Sequence, residues 1–198
     1  MIQTRNLEQY AEIHRTRRYG DTGVRKLRII EPWVRFCRPT SILDYGAGQS
    51  VLVNQIACSS LNTRDRYDPA IPSISTIPLR RYDVVICTDV FEHLDEDEVP
   101  NVLAHIASLS DQIILCIDTR PASTILPSGE NAHATVRPSE WWLTEVRRLF
   151  PGAEIIVRKG SRVHIKTWKS SILAHAAARI LGWTAKFGGR DERRHVDD

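Results

Sequence analysis

The chain has 198 residues, 42% hydrophobic and 26% charged, enough for one globular domain with a full core and short for two. The net charge of +3 permits an anionic partner without demanding one, and the locally basic stretches "HRTRRYG" and "RKGSRVHIKTWK" lie near opposite ends. The four cysteines form no C-x-x-C pair, no apolar run approaches the roughly 20 residues that span a bilayer, and the start "MIQTRNLEQYAEIH" has no apolar signal segment. A disulfide framework, a zinc knot and a membrane span are therefore not expected, and a cytoplasmic location is.

In chain order, "LEQYAEIHRTRRYG" places Leu7, Tyr10 and Ile13 at helical spacing and stops at Gly20. "VRKLRIIEPWVRFCRP" predicts a second helix, with Pro32 as a kink and Pro39 as its stop. "SILDY" reads as a short buried strand, "SVLVNQIACS" as a helix and "NTRDRYDP" as a strand ending at Asp68. "YDVVICTDV" is a β-rich apolar run in which Cys87 is a small buried side chain. "DEDEVPNVLAHIASLS" has acidic residues where a helix N-terminus favours them, then apolar residues at Val99, Val102, Leu103 and Ile106. "DQIILCIDT" is another buried strand, "PSEWWLTEVRRLF" a helix, and "AEIIVRKGSRVHIKTW" two strands about a tight Lys-Gly-Ser turn. "SSILAHAAARILGWTAKFGG" predicts a closing helix, and "RDERRHVDD" a disordered tail.

Strands alternating with helices, with continuous apolar strands among them, predict a parallel sheet covered on both faces. The expectation is an α/β, doubly wound, Rossmann-like sheet of about six strands with an antiparallel C-terminal edge strand, in one domain over residues 1–198. Residues 1–40 form a helical cover, 41–168 the core, and 169–198 the C-terminal helix and tail.

The stretch "ILDYGAGQSVLV" carries a glycine loop after the first strand, where such folds bring a ligand against the backbone. Dinucleotide sites use G-x-G-x-x-G there, but the third glycine is absent, and Asp44 two residues before the first would repel a pyrophosphate. A ligand bearing positive charge and no phosphate, such as S-adenosylmethionine, reverses that sign. Asp68, 24 positions later, closes the second strand where a carboxylate can accept both hydroxyls of a ribose. The two aspartates at βαβ spacing predict a pocket for a cationic nucleoside.

At these residues the chain resembles the class I S-adenosylmethionine-dependent methyltransferases. "ILDYGAGQS" is similar to their first motif, "YDP" to their ribose motif, and "YDVVICTDVFEHL" to the fourth-strand motif of ubiquinone-biosynthesis-type O-methyltransferases. The likeness spans residues 41–119. A set of short phage and bacterial methyltransferase-like proteins shares "YDPAIP", "CTDVFEHL" and an "NAH…WW" segment. The resemblance implies Gly46, Ala47 and Gly48 around the methionyl part of the cofactor, Asp68 and Pro69 at the ribose, and Thr88 or Asp89 beside the reacting methyl. It also implies that Tyr19, with Gly20, lines an N-terminal cover that includes Tyr10 and His14. One departure is large: "PAIPSISTIPLRR", with three prolines, is too short for the family's third strand, which is expected to be abbreviated or missing.

For the chemistry, a general base helps when the acceptor must lose a proton, and histidine suits neutral pH. His93, just after the fourth strand, and His133, in the long segment after the fifth, are the candidate catalytic residues. Asn131 and Trp141 of that same long segment are the candidate substrate-binding residues. No clustered His/Asp/Glu set has metal-ligand spacing, so no metal is expected; Glu92 and His93 with a later residue around Mg²⁺ is a remote alternative. The expected partner is a small-molecule or nucleotide/sugar-like acceptor methylated on O or N. Two alternatives remain: a nucleic-acid methyltransferase using the basic segments, in which Arg17, Arg18, Arg162 and Lys166 would contact the polyanion, or a non-catalytic binding protein of the same fold.

Overall fold

The molecule is organised on a six-stranded sheet in the order β2-β1-β3-β4-β6-β5. This computed structural model describes residues 6–17, 19–20, 22–77, 79–171, 173, 175–177 and 180. The strands are β1 (Ser41–Tyr45), β2 (Thr63–Tyr67), β3 (Val84–Thr88), β4 (Ile113–Asp118), β5 (Glu154–Lys159) and β6 (Arg162–Lys166). The first four are mutually parallel; β6 runs antiparallel to β4 and to β5, so the C-terminal hairpin closes one side with β5 outermost. The two-residue turn between β5 and β6 is too short for a parallel crossover, which is why this pair reverses.

From β1 the chain turns to one side for β2 and to the other for β3. The carboxyl ends of β1 and β3 therefore open onto a crevice at a topological switch point. Strand alternation sends Leu43, Val85 and Leu115 to one face and Ile42, Ile86 and Ile114 to the other. The first face is covered by α4 (Val99–Leu109) and α5 (Ser139–Leu149), which bury Val102, Leu103, Ile106, Trp142 and Val146. The second is covered by α2 (Leu27–Cys37) and the short α3 (Leu52–Gln55), through Ile30, Trp33, Val34, Leu52 and Val53. Helix α1 (Leu7–Thr16) packs Ile13 and Tyr10 against Leu126 and Ala132 of the long loop after β4, outside the two main layers.

Two local expectations change and a third holds. The helix predicted from residue 24 begins as a 3-10 turn, Thr22–Lys26, before α2, and Gly23 of that turn packs where a Cβ would meet Ser50 Oγ at 2.5 Å. The helix over 50–59 shrinks to α3, because Glu31 of α2 accepts the Ala57 N–H at 3.0 Å and draws the chain out of helical form. Between β2 and β3 the described residues hold one 3-10 turn, Pro72–Ile74, and no strand, as the prolines predicted. The predicted C-terminal helix and tail lie mostly outside the described residues.

Candidate active site

A cavity of about 640 Å³ lies over the carboxyl ends of β1 to β4, the size range of small-molecule sites. Its floor is the glycine loop. Gly46 and Ala47 donate their N–H groups to the Tyr67 carbonyl at 2.8 and 3.0 Å, lashing the loop to the end of β2. Gly46 and Gly48 hold φ of +70° and +52°. A Cβ on Gly46 would drive into Val90, and one on Gly48 would stand 2.8 Å from the Gly20 carbonyl oxygen. The loop therefore needs both glycines, for conformation and for close approach.

Gly20 belongs to a strap between α1 and the 3-10 turn that crosses the glycine loop. Gln49 clamps it, donating from Nε2 to the His14 carbonyl and accepting the Tyr19 N–H at Oε1, each at 3.2 Å. Tyr10, His14, Tyr19 and Gly20 line the cavity from this side.

Asp68 lines the cavity at the end of β2, with Pro69 beside it. Its Oδ2 accepts the Gly48 N–H at 2.7 Å and its Oδ1 the Ala70 N–H at 2.9 Å, which fixes the carboxylate and leaves lone pairs on each oxygen. Asp44 sits differently. Being on the α2/α3 face of β1, it points beneath the loop, 1% exposed, with no hydrogen-bond partner on either oxygen, and does not line the cavity. The expected pair of ligand-facing carboxylates thus reduces to Asp68 at this edge. Burial pushes Asp44 up to about 7, against the opposing influence of Arg66.

Thr88 and Asp89 close β3 on the cavity wall. Asp89 has a left-handed φ of +56°, uncommon for a residue with a Cβ and found where surrounding contacts enforce it. Those contacts are an ion pair with the buried Lys26 and a 2.7 Å hydrogen bond from Thr22 Oγ1. Burial alone would raise the Asp89 pKa, but Lys26 and these bonds hold it below the usual value.

The other end of the cavity is built by Glu92, His93 and His133, whose donor atoms lie within 4.8 Å of one another. His93 Nδ1 stands 2.8 Å from the Ala132 carbonyl and 3.0 Å from Tyr10 Oη, while the Tyr10 hydroxyl itself donates to Ala132 O at 2.8 Å. Both neighbours thus offer lone pairs, so Nδ1 carries the hydrogen. His133 Nδ1 lies 2.6 Å from the Arg120 carbonyl and carries its hydrogen for the same reason. Burial lowers the His93 pKa to about 4 and raises that of Glu92 to about 8.

Asn131 and Trp141 do not line the cavity. The Asn131 amide is spent on the loop itself: Oδ1 accepts from Ala122 N and His133 N, and Nδ2 donates to Ala122 O, all at 2.9 Å. Trp141 points along α5, edge-on to Trp142 with centroids 4.8 Å apart, so both tryptophans pack. The expectation of no metal-type cluster also changes, because the fold brings residue 133 back beside 92 and 93. Of the proposed polyanion contacts, Lys166 is fully buried between Trp33 and Trp168, and Arg162 turns toward Asp118 and Asp89. Lys166 thus offers no charge to an outer surface, whereas the Arg162 side chain is 41% exposed and Arg17 is exposed beside Tyr19; Arg18 lies outside the described residues.

Sequence reasoning missed Lys26 and Asp118, and did not place Glu92 or Arg162 in the cavity wall. Asp118 offered a signal related to that of Asp68, an acidic residue at the end of a strand, here an apolar one. Lys26 gave none, since a lysine in an amphipathic stretch reads as solvated.

No model of a known protein family matches the sequence, and no curated protein does. Solved structures do. An O-methyltransferase family protein from Burkholderia thailandensis superposes with TM-score 0.57 and 17% identity, over 77% of this chain and 59% of that one. The small RNA methyltransferase HEN1 gives 0.56 and 12%, over 74% of this chain and 25% of that one. The DhpI–SAH complex gives 0.53 and 12%, over 81% and 95%. The chain thus spans less than two thirds of the first two. With the sheet order and the glycine loop above, these matches show that the chain has the fold of the class I S-adenosylmethionine-dependent methyltransferases.

Proposed function

We propose that the protein transfers a methyl group from S-adenosylmethionine to O or N of a small-molecule acceptor. The observation that carries this reading is the Gly46–Gly48 loop bonded to Asp68 at the floor of a covered cavity of about 640 Å³. The residues present fit such a nucleoside. Asp68 keeps lone pairs on both carboxylate oxygens at the cavity edge, as a group that accepts a ligand's hydroxyls would. Similar structures crystallised with S-adenosylhomocysteine support the same cofactor.

When bound, the cofactor supplies a methyl carbon on a sulfonium, already activated for in-line displacement. The chain's work is then to position and to exclude water. Gly46, Ala47 and Gly48 admit the methionyl chain against the backbone. Asp68, with Pro69 beside it, accepts ribose hydroxyls on its remaining lone pairs. Thr88 and Asp89, the latter neutralised by Lys26, border the reacting carbon, and Tyr10 and Tyr19 shield it. The acceptor occupies the end walled by His93, His133 and Arg120. A covered cavity and the burial of Lys166 favour a small acceptor over a polymer.

In a melting assay, S-adenosylhomocysteine at about 100 times its Kd should stabilise the chain by about 2.7 kcal/mol. For a chain of this size that is a rise of roughly 5–10 °C. Asp68→Ala should abolish the rise. Wild-type protein that does not respond to either S-adenosylmethionine or S-adenosylhomocysteine refutes the reading. Cell extract incubated with methyl-labelled cofactor should show label in the small-molecule fraction; label confined to polymer would overturn the acceptor class.

A further inference from the structure

We propose that Glu92, His93 and His133 form a binding site for one divalent transition-metal ion in the cavity wall. The inference rests on donor geometry and stands apart from the methyl-transfer reading.

All three side chains line the cavity, and one donor atom from each falls within 4.8 Å of the other two. A first-row ion with ligands near 2 Å draws such atoms together with small rotations. The hydrogen bonding prepares each group. His93 gives its Nδ1 hydrogen to the Ala132 carbonyl, with Tyr10 Oη alongside, and His133 gives its own to the Arg120 carbonyl. Both imidazoles are thereby held in the tautomer with a bare Nε2, the outer-shell arrangement that orients metal-ligating histidines.

Glu92 completes the pattern. It is fully buried, its Oε1 accepts the Asp118 N–H at 2.9 Å, and its Oε2 has no partner. A buried carboxyl oxygen that makes no hydrogen bond keeps a lone pair free for a cation. A general-base role for one histidine would explain neither the convergence of three donors nor this bare oxygen.

Two imidazoles and one carboxylate suit Zn²⁺, Co²⁺, Fe²⁺ or Mn²⁺ better than Mg²⁺ or Ca²⁺, which prefer oxygen throughout. Three protein donors leave coordination positions open toward the cavity. If the methyl-transfer reading holds, an oxygen of the acceptor would occupy one of them.

The test uses the full, untagged chain stripped with a chelator and titrated with Co²⁺ alone, followed by its visible ligand-field absorption and by calorimetry. One ion per chain is expected, undisplaced by excess Mg²⁺. His133→Ala, at a half-buried position that tolerates truncation, should weaken Co²⁺ binding by about 100-fold or more. Its melting curve checks the fold, and its response to S-adenosylhomocysteine should persist, which separates loss of this site from loss of the cofactor site. Glu92→Gln should weaken Co²⁺ as well. Absence of saturable binding at millimolar Co²⁺, unchanged affinity in His133→Ala, or tighter binding of Mg²⁺ than of Co²⁺ would overturn the proposal.

Discussion

Asp44 is an unpaired carboxylate sealed below the glycine loop, and burial raises its pKa from the usual 3.8 to about 7. In the unfolded chain it ionises near 3.8, so between there and about 7 the unfolded state has released a proton that the folded state retains. The contribution of Asp44 to stability is full below pH 3.8 and declines as pH rises through 7. Asp44→Asn removes that decline: its melting temperature relative to wild type should be higher at pH 8 than at pH 5, and an equal difference at both would show that Asp44 is ionised throughout. Gly48 is constrained from two directions, by φ of +52° and by the Gly20 carbonyl 2.8 Å from where a Cβ would stand. Gly48→Ala should cost about 1–3 kcal/mol of stability by strain and displacement of the strap. Calorimetry should show weakened S-adenosylhomocysteine binding in the same variant.

At the scale of elements, the C-terminal hairpin carries a charged cross-strand pair whose lysine is fully buried. Glu154 faces Lys166 in the β5–β6 register and accepts from its Nζ at 2.5 Å, while the lysine lies fully buried between Trp33 and Trp168. Partial burial would raise the Glu154 pKa, but hydrogen bonds from Lys166 and His175 hold it at about 2. The pair therefore stabilises the fold above the ordinary carboxylate value near 4.5, and that stability drains away as pH falls from there toward 2. Glu154→Gln leaves the lysine's charge buried without its carboxylate, at about 3 kcal/mol. Urea unfolding at pH 7 should read this loss, and the variant's stability should depend less on pH between 4.5 and 2 than wild type's.

The strands were legible because apolar runs such as "VVICT" and "IILCID" have one reading in a covered parallel sheet, and the prolines after Asp68 announced the missing strand. The ends of helices were less so. Nothing local to "SVLVNQIACS" reveals that Glu31, 26 residues earlier, captures the Ala57 amide. In the candidate site the glycine loop and Asp68 could be read from spacing, since βαβ geometry is periodic. Asp44 was misplaced because which face of β1 meets the cavity depends on how the loop folds back over it. The meeting of His133 with His93 depends on the path of a 20-residue loop, which carries no periodic signal.

Across the molecule, α1 and the loop after β4 are joined although they are more than 100 residues apart. Tyr10 Oη donates to the Ala132 carbonyl, Ser128 N donates to Gln9 Oε1 at 2.9 Å, and Ile13 packs on Leu126 and Ala132. Amide hydrogens of residues 7–16 and 124–135 should accordingly exchange as one cooperative unit, and slow together when S-adenosylhomocysteine is added. Exchange that slows in one segment alone would show that they open separately.

The strap crossing at Gly20 gives this linkage a direction. Gln49 grips the strap on both sides, and Lys26 anchors its far end on Asp89. On the methyl-transfer reading, the strap would lie across a nucleoside held at the glycine loop, and Gln49→Ala, which removes both grips, should quicken its release.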